Sequence, residues 1–181
     1  VGYVSFEQHQ RLIVREEGRD ESRYFSGDLT AKTTVYDTLL ESCAKPGCRA
    51  VDIDEAVAEM QIEHLLERGI RVLSTGEFRK VQIARELIKS PEILILDEPF
   101  DGLDQSSRND LTQIVNDLMD DTRTVIFVTH RQREILPNIS HVLAVRDGEI
   151  IFQGKRRDVM TPLQMQRLYA PTDPAFFSAP D

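Results

Sequence analysis

Ile93-Leu94-Ile95-Leu96-Asp97-Glu98-Pro99 is an unbroken apolar run that ends in two adjacent carboxylates and a proline. Consecutive apolar residues without polar alternation are what a parallel strand needs when helices cover both of its faces. Acids delivered at the C-terminal end of such a strand stand where open α/β sheets place their ligands. Adjacent carboxylates repel, but on one strand their side chains point to opposite sides. Each can then take a separate task, one near a metal ion and the other facing a reacting water. The plain alternative is a strand that ends in acidic residues at a turn.

Working outward from this run, the spacing predicts a helix from Gln105 to Asp120 and a second apolar strand, Thr124 to Thr129, that stops at His130. Strand, helix and strand of this length imply a right-handed parallel crossover. Upstream, Ser74 is a good helix N-cap and Glu77, three residues on, completes a capping-box pattern. That helix should run to about Ser90, where Pro91 stops it. Helical periodicity also marks Thr34 to Ser42 (Val35, Leu39) and Asp54 to Arg68 (Val57, Met60, Leu65), with a turn at Pro46-Gly47 between them. Val1 to Ser5 reads as a short strand running into a polar loop, and Arg15 to Thr33 as a charged exposed loop. Beyond His130, a short helix near Arg131 to Leu136 precedes a hairpin, Val142 to Phe152, turning at Asp147-Gly148. The tail, with Pro171, Pro174 and Pro180, should end in poor order. The expected fold is α/β: a mostly parallel sheet with flanking helices and an inserted helical subdomain. Residues 1–33 hold the first strand and variable loop, 34–90 the helical subdomain, 91–160 the α/β core and 161–181 the tail.

The composition agrees with a folded domain. Of 181 residues, 40% are hydrophobic and 29% charged, which does not describe global disorder. The formal net charge of −9 speaks against nucleic acid as a partner, because lysine and arginine supply most non-specific affinity for phosphate backbones. No apolar run reaches the roughly 20 residues of a membrane helix, and the first ten residues lack a signal-peptide pattern. The chain is cytoplasmic in character. Cys43 and Cys48 have no second pair or nearby histidine to complete a zinc site, so free thiols are expected. His9, His64 and His141 have no partner at ligand spacing. The chain opens at Val1 on what reads as a buried strand, which leads to the expectation of a cut within a longer protein.

Four motifs stand in order: Leu73-Ser74-Thr75-Gly76-Glu77, Leu96-Asp97-Glu98-Pro99, Leu103-Asp104 and Val128-Thr129-His130. In that order and spacing they resemble the ATP-binding-cassette (ABC) ATPases, a family with the P-loop NTPase fold. There a signature Leu-Ser-Gly-Gly-Gln opens a helix, a hydrophobic run ends Asp-Glu-Pro, a Leu-Asp follows, and a switch histidine closes the next strand. The resemblance spans nearly the whole chain. It implies that Asp97 holds Mg²⁺ through water, that Glu98 orients and deprotonates the attacking water, and that His130 contacts the γ-phosphate of ATP. Asp104 would lie in the loop linking two sites, and Ser74 with Gly76 would bind the γ-phosphate of a nucleotide held by a second cassette, on the same polypeptide or in a homodimer. A helix N-terminus suits that last role independently, with unpaired N–H groups and about half a positive charge.

The sequence departs from the family pattern at several points. Thr75 adds a side chain where backbone must approach phosphate, and Glu77 places a negative charge where the family has glutamine; both should weaken the signature's hold on phosphate. Phe6 stands where a glutamine is expected after the first strand; Gln8 or Gln10 could serve only if the loop is shifted, and Gln8 is the candidate taken. The phosphate loop G-x-x-x-x-G-K-[ST] is absent, and Gly27 to Thr33 is a decoy with glycine spacing one residue short. Alone, the chain should bind ATP poorly. Val1-Gly2-Tyr3-Val4-Ser5-Phe6-Glu7-Gln8, Leu73-Ser74-Thr75-Gly76-Glu77 and Asp97-Glu98-Pro99-Phe100-Asp101-Gly102-Leu103-Asp104 together look similar to the tandem-cassette proteins of molybdenum transport and photorepair. The resemblance implies an ATPase energising membrane permease subunits, at the inner face of the cell membrane. Two alternatives stay open: a soluble tandem-cassette ATPase working on ribosomes or in DNA repair, and a non-catalytic interaction module.

Overall fold

A computed structural model of the chain describes residues 1–5, 14–15, 18, 33–43, 50–119 and 123–169. These divide into two units, Val1–Leu136 and Pro137–Asp181, and the division falls inside the 91–160 span.

The first unit is built on a three-stranded parallel sheet in the order β1-β2-β3, with β1 Gly2–Val4, β2 Ile93–Asp97 and β3 Thr124–Val128. Register sets which side chains share a face. Val4 pairs with Leu96, Tyr3 with Ile95, and Asp97 with Val128. Val4, Leu94 and Leu96 are fully buried. The opposite face is not sealed: Ile95 and Asp97 are half-buried, and Tyr3, Ile126 and Val128 are each 40% exposed or more. The apolar run of β2 was expected to be covered on both faces. Within the described residues its Leu94/Leu96 face alone is covered, because hydrophobicity records what a strand tolerates on each side and not which side this chain covers.

Between β1 and β2 lies a helical region. Helix α1, Val35–Cys43, is closed at its start by Thr34 and Asp37, whose side chains bond each other's backbone N–H at 3.1 and 2.9 Å. Helix α2, Ala50–Met60, begins earlier and ends earlier than periodicity predicts. Its stop is a left-handed Gln61 (φ 55°): the Gln61 N–H donates to Ala58 O and the Ile62 N–H to Val57 O, each at 3.1 Å. This is a Schellman ending, and the fully buried Ile62 supplies its apolar contact. Two short 3₁₀ turns, Glu63–Leu65 and Ile70–Val72, lead into α3, Thr75–Leu87. Helix α3 is buried well beyond one stripe: Phe78, Arg79, Val81, Gln82, Ile83, Ala84 and Leu87 all lie inside.

Helix α4, Gln105–Asp117, makes the predicted crossover from β2 to β3, burying Leu111, Ile114 and Val115. A 3₁₀ turn, Gln132–Glu134, follows His130. The second unit contains the predicted hairpin, β4 His141–Arg146 and β5 Glu149–Lys155. Asp147 and Gly148 both take positive φ (52° and 81°), as a two-residue hairpin turn requires. Two helices were not anticipated, α5 Arg156–Val159 and α6 Pro162–Tyr169. They place Val159 and Met165 against Ala144 and Phe152 in a small core. Among the described residues no helix is long and apolar enough to cross a membrane.

One expectation is overturned outright: Cys43 is disulfide-bonded. The free-thiol reading rested on the lack of partners for a zinc site, whereas pairing is decided by whether the backbone brings two sulfurs together.

Candidate functional site

The parallel sheet delivers its acidic end as the run of β2 implies. Asp97 is the last residue of the strand, and its Oδ2 accepts a 2.8 Å hydrogen bond from the Tyr3 hydroxyl. Register explains the pairing. Tyr3 sits beside Ile95, two residues before Asp97 on the same face, so its ring runs along the sheet and its hydroxyl reaches the carboxylate.

Glu98 leaves the strand in a left-handed conformation, φ 47°, which is uncommon for a residue with a Cβ. The turn aims its side chain away from Asp97 toward the end of β3. There its Oε1 accepts the His130 backbone N–H at 2.9 Å and lies 2.6 Å from His130 Nδ1. With Nδ1 engaged, Nε2 is the ring nitrogen left to meet a ligand, and the imidazole side chain is 62% exposed. Oε2 of Glu98 is buried and has no hydrogen-bond partner. An acceptor oxygen without a donor suits an incoming water. The two acids thus separate as expected, one toward β1 and the other toward β3, although the separation comes from a backbone turn rather than from strand alternation.

The second group forms at the start of α3. Ser74 is the N-cap, accepting the Glu77 N–H at 3.3 Å, while Glu77 Oε2 accepts the Ser74 N–H at 2.7 Å. Gly76 sits in the first turn with no room beside it: a Cβ there would stand 2.8 Å from Ser107 Cβ and Oγ. Ser107 is itself held by Asp104, the N-cap of α4, whose carboxylate accepts the Ser107 N–H at 2.9 Å and its hydroxyl at 3.1 Å. Those hydrogen bonds hold the Asp104 carboxyl below its ordinary value. Ser74, Gly76 and Asp104 are therefore neighbours through Ser107. Ser74 and Thr75 are exposed, so the helix start is open to a ligand.

Glu77 carries the charge expected to repel phosphate, but the charge is not bare. Arg68 Nη1 pairs with Glu77 Oε1 at 2.6 Å. Burial alone would raise the Glu77 carboxyl; the hydrogen bonds from Ser74 and the Arg68 guanidinium outweigh it and hold the pKa below the usual range. Arg68 had no local signal, since nine residues separate it from Glu77 and no repeat connects them.

Around the sheet end lies a second charged group that sequence reading missed. Glu134, 3% exposed at its side chain, accepts from Arg108 (2.5 Å), Arg131 (3.2 Å) and the Thr129 hydroxyl (2.7 Å). The spacing Arg131 to Glu134, three residues apart in a predicted short helix, was the available clue. Burial raises the Glu134 carboxyl and these donors lower it further, so the net value lies below its ordinary 4.5. A depressed folded-state pKa contributes stability that is present above the unfolded value and is lost as pH falls through the folded one. The stability gap between the chain and Glu134→Gln should therefore narrow below about pH 4.5, which urea unfolding at several pH values would show.

Gln8 lies outside the described residues, as does most of the Gly27 to Thr33 decoy. Among the described residues no group of three metal-ligating side chains converges.

Comparison with known proteins bears on the family and the fold. The family described as ABC transporter matches residues 2–101. The lipopolysaccharide export system ATP-binding protein LptB of Haemophilus influenzae is 34% identical over 143 residues, covering 76% of this chain and 59% of that protein. An ABC transporter ATP-binding protein of Rhizobium meliloti is 33% identical over 149 residues, covering 82% of this chain and 55% of that protein. Among solved structures, cbiO1 from Clostridium perfringens, part of the ABC transporter complex cbiONQ, aligns with a TM-score of 0.65 at 25% identity, over 76% of this chain and 57% of that one. The chain spans about half the length of the curated relatives it matches.

Proposed function

Because the chain belongs to the ABC transporter family, we propose that it supplies the hydrolytic acid pair, the switch histidine and the signature helix of an ATPase that works between two cassettes. The observation that carries this reading is the Glu98–His130 pair: one carboxylate oxygen held by both the backbone and the ring of His130, the other unpartnered at the C-terminal end of a parallel sheet.

In this reading Glu98 orients the attacking water on Oε2 and takes its proton. His130 faces the γ-phosphate with Nε2 and donates to it when both ring nitrogens carry a proton, Nδ1 being engaged by Glu98. Asp97, steadied by Tyr3, holds Mg²⁺ through water; the ion, when bound, neutralises charge on the transferring phosphoryl group. The start of α3, with Ser74 and Gly76, receives the γ-phosphate of a nucleotide on the second cassette, where free N–H groups and the helix dipole favour an anion. Asp104 sets the start of α4 against Gly76 and so joins the two half-sites. The work done is the energising of a membrane transporter, with the helical region and the Gln8 loop as the coupling surface. Within that class, the resemblance of residues 1–8, 73–77 and 97–104 to tandem-cassette proteins of molybdenum transport extends the proposal to a molybdate-type solute.

Calorimetric titration of Mg-ATP into the 181-residue chain and into the full-length gene product tests the reading. Binding and hydrolysis by the full-length product, with little binding by this chain, is the expected result, because the chain has no glycine-rich cradle with its lysine. A full-length product that neither binds nor hydrolyses ATP would leave an interaction module as the better account.

A further inference from the structure

Asp101 and Arg131 stand next to the proposed reacting pair without belonging to it. Asp101 lies three residues after Glu98, in the loop that ends at Asp104, and Arg131 directly follows His130. Their side chains meet, with Arg131 Nη2 and Asp101 Oδ1 at 2.8 Å. The same guanidinium reaches Glu134 through Nη1, and the Arg131 backbone N–H donates to Thr129 Oγ1 at 3.1 Å. Glu134 is anchored in turn by Arg108 of α4, whose other terminal nitrogen donates to the Phe100 carbonyl at 3.4 Å. The charges alternate along one connected line: Arg108, Glu134, Arg131, Asp101.

On its far side the loop meets helix α3. The Thr75 methyl lies beside Gly102, 3.7 Å from where a Cβ would stand. Arg79, in the second turn of that helix, is fully buried and none of its three guanidinium nitrogens has a hydrogen-bond partner. Burial lowers its pKa, and the charge opposing that effect is Asp101. Asp101 therefore faces two arginines from two elements. An isolated exposed ion pair contributes little. This line is different because its central carboxylate is buried and Arg108, Glu134 and Arg131 are each held by more than one partner, the situation in which removing one charge leaves the next uncompensated.

We propose that Arg131 is a positioning residue: by gripping Asp101 and Glu134 together, it fixes the loop that carries Glu98 and Asp104 against the strand end that carries His130. The grip acts through Glu98 and His130 and touches no reacting atom. It explains how Glu98 keeps its oxygen on His130 although its own backbone conformation is unfavourable. This inference rests on the ATPase reading for its consequence, but its geometric content can be measured without nucleotide.

Three backbone N–H groups report on the grip: Asp101 to Glu98 O, Leu103 to Phe100 O, and His130 to Glu98 Oε1. Amide hydrogen exchange on the 181-residue chain should show those of Asp101, Leu103 and His130 exchanging about fivefold faster in Arg131→Gln and in Asp101→Asn, with Leu94 and Leu96 of β2 within about twofold of the parent. Arg131→Lys should recover part of the protection at Asp101, since a lysine keeps one charge contact but not the fork. In the full-length product the same Arg131→Gln should lower kcat about tenfold while KM stays within about twofold, the pattern of a misplaced reacting group. Unchanged exchange in both variants would overturn the proposal, as would faster exchange spread equally through β2, which marks general destabilisation. A parent product without ATPase activity would overturn the functional reading instead, and the exchange pattern would still decide the grip.

Discussion

Glu98→Gln in the full-length product should bind Mg-ATP with unchanged affinity and turn it over about 10²- to 10⁴-fold more slowly, the usual worth of a positioned general base. Glutamine keeps the size of the side chain and an oxygen able to accept the His130 N–H and ring hydrogen bonds that now hold Glu98 Oε1. What it lacks is a basic oxygen at the second position, the one left buried and unpartnered. Because the substitution preserves geometry and removes basicity, the change belongs in kcat and not in binding. Phosphate release under saturating nucleotide, with calorimetry for affinity, separates the two. Turnover within a few-fold of the parent would remove Glu98 from the role of base and leave the pair with His130 as an architectural contact.

Gly76→Ala should destabilise the first unit by about 1–3 kcal/mol, the cost of forcing an extra methyl into a packed site. The expectation opposes propensity, since alanine is favoured over glycine within a helix by up to about 1 kcal/mol. Space decides. The new Cβ would stand 2.8 Å from Ser107 Cβ and Oγ; rotating the hydroxyl away gives up its bond to Asp104 and leaves the Cβ clash, which only a shift of the helix backbone that bonds Asp104 could relieve. Urea unfolding of Gly76→Ala beside Gly76→Ala/Ser107→Gly would show it, with the second change recovering most of the loss. If Gly76→Ala were as stable as the parent, the glycine would be there for ligand approach alone.

The readable parts of this molecule depended on neighbours in sequence. The apolar run of β2, the capping box of Ser74 and Glu77, the crossover helix and the Asp147-Gly148 turn are all local patterns, and each appears where expected. Ending α2 at Met60 was not readable, because a left-handed glutamine is rarer there than glycine and the motif is completed by the burial of Ile62. The last two helices escaped notice because four- and eight-residue segments carry little periodic signal. At the site, the carboxylates and His130 were legible as types at strand ends. Their partners were not: Tyr3 reaches Asp97 across 94 positions, Arg68 neutralises Glu77, and Arg108 finds Glu134 across 26. Such pairings are set by register and packing, which no local window contains. The open face of the sheet had no signature either, since Ile95, Ile126 and Val128 read alike whether covered or not.

The left-handed backbone at Glu98 carries a cost that bears on how this position would fare over time. A side chain with a Cβ at φ 47° is strained relative to glycine or asparagine at the same place, and its second oxygen gives up hydration without recovering a partner. Both terms work against the folded state and neither is recovered by packing. Under a selection that rewarded thermal endurance alone, the glutamate would be among the first residues discarded. If Glu98 is the base proposed above, copies of this segment freed from that role should drift at position 98 toward small or left-handed-tolerant residues while keeping Leu94 and Leu96.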